Sequence, residues 1–86
     1  MIILTGNVSD CIFNGQEIEF VGDLFLTHIS FSHCNIKDKT TSFIWSPVSS
    51  PRQILNRLYN CVVDTPDIDE FRRSIYGVKI ETTNFG

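Results

Sequence analysis

The chain has no alanine, three cysteines, three prolines and seven basic residues among 86. Each scarcity narrows what it can be. Without Ala, and with Ile, Phe, Asn and Ser frequent, the residue usage has the bias of an AT-rich coding sequence, as in many bacteriophages and viruses. Seven basic residues face ten acidic ones, a net charge of −3. No stretch gathers more than two cations, so the basic stripe that releases counterions from nucleic-acid phosphates is missing, and nucleic acid is a disfavoured partner. No apolar run nears the ~20 residues of a membrane span. Met1 to Gly6 has neither the basic start nor the apolar length of a secretion signal. A soluble protein of the cytoplasm is expected, of a host cytoplasm if a phage or virus encodes it.

Cys11, Cys34 and Cys61 are odd in number and 23 and 27 apart, which reads as free thiols in a reducing compartment. In that compartment Asn7-Val8-Ser9 is a chance glycosylation sequon.

What is present is a globular composition: 42% hydrophobic and 20% charged. At this length one domain over residues 1–86 is expected, with a folded surface of about 5,200 Å² and about 64% of the unfolded surface buried.

The first half reads as strands. Ile2–Leu4 is a short apolar run. Cys11–Phe13 and Gln16–Val21 flank Asn14-Gly15, the dipeptide that suits a type I′ turn, so an antiparallel hairpin is predicted there. Leu24–His33 follows as a strand, with Phe25, Ile29 and Phe31 assigned to one face and Leu24 and Leu26 to the other. Asn35–Thr41 reads as an exposed turn and Ser42–Trp45 as another strand. Val8, Phe13 and Ile18 recur every five residues, as do Leu26, Phe31 and Ile36. The phase breaks between the two sets, and the span is under two coils, so a solenoid is set aside.

The second half reads as helices. Ser50-Pro51 with Gln53 forms a capping box before Ile54, Leu55, Leu58, Cys61 and Val62 at helical spacing. Thr65-Pro66 opens a second helix, acidic at its start (Asp67, Asp69, Glu70) and basic at its end (Arg72, Arg73), which Gly77 stops. Val78, Ile80 and Thr82 alternate as a last strand, and Thr83–Gly86 is a tail. The expected class is α+β: a mostly antiparallel sheet, an N-terminal β-meander, with two C-terminal helices on one face and a final short strand. Ile54, Leu58 and Val62 would then meet Phe25, Ile29, Phe31 and Phe43.

Candidate chemistry is sparse. His28, His33, Cys34 and Cys11 lack the close paired spacing of a zinc site, so no metal or other cofactor is expected. Cys34 and Cys61 have no neighbouring base with an orienting third group, and the acids at 67–70 are explained by the helix dipole. No phosphate loop or nucleophile elbow occurs, and an enzyme is not expected. The residues left for recognition are the acidic turn Asp64, Asp67, Asp69 and Glu70 and the aromatics Trp45, Tyr59 and Tyr76. The expectation is a small protein-binding protein, an inhibitor or accessory factor of phage or viral origin. Homo-oligomerisation through an unpaired edge, Ile2–Leu4 or Val78–Thr82, fits the same class. The alternatives are a nucleic-acid domain that stacks bases on an aromatic sheet face, or a structural virion component.

Overall fold

The computed structural model describes residues 1–46, 56–75 and 78–85. Its elements are β1 (Ile2–Asn14), β2 (Glu17–Ser32), β3 (Asn35–Ser46), β4 (Arg57–Tyr59), β5 (Val62–Asp64), α1 (Ile68–Ser74), β6 (Lys79–Glu81) and β7 (Asn84–Phe85). Every strand pairing is parallel. The chain coils around one axis and each turn stacks on the last. It is a short parallel β-solenoid.

This overturns the antiparallel meander. Cys11 and Phe13 do not pair with the strand after Asn14-Gly15; they lie over Ile29 and Phe31 of the next turn. Gly15 has the positive φ the dipeptide foretells, at +66°, but uses it to turn a corner of the coil, where its N–H donates to Ser32 O at 2.9 Å. A hairpin reverses the chain, whereas a solenoid corner redirects it. Both need the same left-handed residue.

That conformation recurs in columns. Gly15, His33, Asn60 and Thr82 all have positive φ and stack at one corner; Asp10 and His28 stack at another, and Gly6 and Gly22 mark the third. The first two coils therefore have three sides. The long strands β1 and β2 bend through these corners without losing their ladder partners.

Corners also explain the faces. Inward positions on β2 run Ile18, Phe20, Leu24 and Leu26, then Ile29 and Phe31. His28 resets the alternation, so Phe25, assigned above to the face of Phe31, is 39% exposed while Phe31 is 0% exposed. Strict period-two reading fails wherever the backbone leaves the β region.

The core is a set of ladders. Ile18, Ile36 and Val63 stack in one column, with Phe85 over Val63 and Ile2 beneath Ile18. Phe31 stacks against Phe13 with centroids 5.3 Å apart, and lies edge-on to Trp45 at 5.7 Å. The accessible surface of 5207 Å² equals that of a compact globular domain this size, so the coil needs no outer layer to bury its apolar side chains.

Of the two predicted helices, the first is not there in its described part. Residues 57–59 and 62–64 are β4 and β5, and Leu58 is buried because it continues the column of Phe31. Its predicted cap at Ser50–Gln53 and Ile54 lie outside the described residues. Val62, expected inward, is 48% exposed. The second helix exists but is shorter, seven residues capped by Asp67, whose Oδ1 accepts from Glu70 N at 3.1 Å. It replaces one side of a coil and buries Phe71 and Ile75 on the core, Phe71 stacking on Phe43 at 5.3 Å. The strand predicted over Val78–Thr82 is β6, Lys79–Glu81, and the predicted tail contains a further strand, β7. Among the described residues no helix is long and apolar enough to cross a membrane.

Candidate functional site

Where α1 leaves the coil stack it makes a cleft of about 80 Å³ against β3. Asp38, Thr40, Thr41, Ser42 and Phe43 form one wall; Thr65, Pro66, Asp67, Glu70, Phe71 and Ser74 form the other. The stacked rings of Phe43 and Phe71 give it an apolar part. Carboxylates and hydroxyls supply the rest.

Asp38 fixes the join between the two walls. Its Oδ2 accepts from Thr65 Oγ1 at 2.9 Å, and its Oδ1 accepts from Thr40 N at 3.0 Å. Thr65 follows β5 in register over Asp38, so a contact between residues 27 apart in sequence is adjacent in the stack. Asp38 and Asp67 are thus occupied with structure. Glu70 in the cleft lining, its chain neighbour Asp69 and Asp64 of β5 are exposed and form no ion pair among the described residues. The site presents negative charge around an apolar slot. It can take a cation with an aliphatic stem.

Of the seven residues singled out for recognition, the structure brings two into the cleft, Asp67 and Glu70; Asp64 at the end of β5 and Asp69 on α1 are exposed outside its lining. It does not add Trp45, which points inward, is 3% exposed and packs against Phe31 and Phe43. The rim position inferred from its place at a strand end is corrected by the burial of that column. Tyr59 is half-buried on another side, with the Arg57 guanidinium 4.5 Å above its ring and His33 edge-on at 5.5 Å. Tyr76 lies outside the described residues. Asp38, Thr40, Phe43, Thr65 and Ser74 escaped the sequence reading because no spacing signal links them; only coil stacking does.

The thiols are free. Cys34 and Cys61 are buried on successive turns, joined by the bond from Val62 N to Cys34 O at 2.9 Å. Burial pushes the Cys61 thiol up from its ordinary value, and neighbouring Cys34 adds to the rise against the lowering effect of backbone hydrogen bonds. The Cys61 Sγ lies 3.3 Å from Tyr59 O and 3.5 Å from Phe31 O, where a protonated thiol donates. That is the setting of a packed thiol, opposite to a nucleophile's. Among the described residues no three of His, Cys, Asp or Glu gather in a metal-holding group.

Together the stacked parallel coils define a β-solenoid class of architecture. Comparison with family models, curated proteins and solved structures finds no match for this chain.

Proposed function

We propose that this protein is a binding module of the cytoplasm that takes a basic segment of a partner protein in the cleft between β3 and α1. The observation that carries the reading is the slot itself: Phe43 and Phe71 beside the exposed carboxylate of Glu70, with Asp38 and Asp67 in the same lining. Phe20 and Phe71 cover both faces of Phe43, so a Lys or Arg side chain lays its methylenes along the ring's accessible edge and its head beside Glu70. An inhibitor or accessory factor of phage or viral origin is the form of this reading that the AT-rich residue bias favours. Base stacking has less support, since Phe20, Phe31 and Trp45 face the core.

The test is a titration with a nine-residue Arg/Lys peptide at about 0.15 M salt, which screens diffuse attraction beyond roughly 8 Å. Amide shifts concentrated at 38–43 and 64–75, lost in an Asp69→Lys/Glu70→Lys variant, support the reading. Shifts spread evenly over Asp10, Glu17, Asp23 and Glu81 sink it. Asp67 is left intact because reversing it removes the cap of α1.

A further inference from the structure

We propose that the open edge of β1 is a self-association surface, and that its occupant is the β1 edge of a second copy, related by a two-fold axis. Among the described residues β1 pairs with β2 alone, so along its thirteen residues about every second one turns an unmatched backbone N–H and C=O outward. The core beneath it is uncovered too. Ile2, Val8, Cys11 and Phe13 are only half-buried, whereas their register partners Ile18, Leu26, Ile29 and Phe31 are at most 1% exposed. The same inward columns lack one covering layer at this end.

A second β1 fits that layer. Turning one coil over and setting it end to end on another makes facing sides run antiparallel, and a three-sided coil can meet itself this way with equal side lengths. Charge favours the match, since Asp10 is the single ionisable side chain in Ile2–Asn14 apart from the thiol of Cys11. Among the described residues the opposite end of the solenoid offers no such template. Its strands β6 and β7 have three and two residues, and it carries the ion pair Lys79–Glu81. Short, charged edges are how sheets avoid pairing. The association is therefore head to head and stops at two copies.

Size sets the strength. Thirteen residues at about 3.3 Å each trace about 43 Å, and a layer roughly 11 Å deep along that path is on the order of 470 Å² per copy. The pair buries about 950 Å², just under the ~1,000 Å² of a stable specific interface. An interface of that size suits a weak, transient dimer. The surface is distinct from the acidic cleft, and neither proposal depends on the other.

Sedimentation velocity of the whole chain from about 1 to 500 μM tests this. The expected result is a mass rising from one copy towards two, with amides of β1 gaining protection from hydrogen exchange as dimer forms. An Ile3→Lys/Ile12→Lys variant, altered at exposed positions, is expected to keep the spectrum of the folded monomer and dimerise at least tenfold more weakly. A single copy at 500 μM, growth beyond two copies, or protection at Lys79–Phe85 instead of β1 would each overturn the proposal.

Discussion

Replacing Phe31 and Phe25 one at a time separates the solenoid from a flat sheet. On a strand that stays extended from Leu24 to His33, residues six apart share a face, and the two changes would cost alike. In the coil the left-handed His28 stands between them. Phe31 is fully buried, with ring partners Phe13 at 5.3 Å, Phe20 at 5.6 Å and Trp45 at 5.7 Å. Truncation to Ala would cost about 3–5 kcal/mol, and each aromatic pair adds about 0.5–1.5 kcal/mol beyond its area. A domain of this length holds roughly 4–13 kcal/mol in all. Phe31→Ala therefore threatens folding itself, and Phe31→Leu, expected to cost about 1–2 kcal/mol, is the measurable variant. Phe25→Leu, at a largely outward position, is expected to stay within about 0.5 kcal/mol of the parent. Urea unfolding followed by circular dichroism reads both; with a slope of about 1–2 kcal/mol/M, Phe31→Leu lowers the midpoint by about 1 M. Equal losses at the two sites would refute the corner at His28 and with it the coil.

Two further outcomes follow from the same geometry. Thr82 is β-branched yet sits at φ +45°, in the column of Asn60 and Gly15, and its Oγ1 hydrogen-bonds Asn60 Oδ1. Asn tolerates that region better, so Thr82→Asn should gain about 0.5–1 kcal/mol, a rise in Tm of about 3–6 °C in a thermal scan; an unchanged or lower Tm counts against it. The Cys61 thiol is raised in the folded state, so above the unfolded value near 8.5 the native state holds the extra proton and stability falls as pH climbs. Above about pH 8.5 the stability of Cys61→Ala should decline less steeply than that of the parent, and native Cys61 should resist iodoacetamide at pH 8 until urea unfolds the chain. Parallel pH profiles for the two proteins would contradict the assignment.

Several features could be read from residue order. Strand character in most of the first half, the charge order of the second helix and the left-handed residue at Gly15 rest on local chemistry, and local chemistry survives in the fold. Asn35–Thr41, read as a turn, nonetheless belongs to β3, and the helix starts at Ile68 with Asp67 as its cap rather than at Thr65-Pro66. The acidic cluster at 64–70 was visible for the same reason. Its cleft was not, because the second wall comes from Asp38–Phe43 and is delivered by stacking.

What tertiary structure alone decided is how strands are shared. A five-residue phase was sought, but the stacking unit is a whole coil: Glu17 meets Asn35 eighteen positions on, Asn35 meets Val62 after 27, and Val62 meets Asn84 after 22. Coils of unequal length leave no fixed period, and the ladder holds across all three separations. Helical spacing at Leu58, Cys61 and Val62 arose from two short strands meeting at the Asn60 corner. Propensity and pattern fix what each residue can do next to its neighbours. Whether an apolar column is closed by the strand before it, the turn beneath it or a helix depends on contacts 16 to 27 residues away, and no window on the sequence contains both partners.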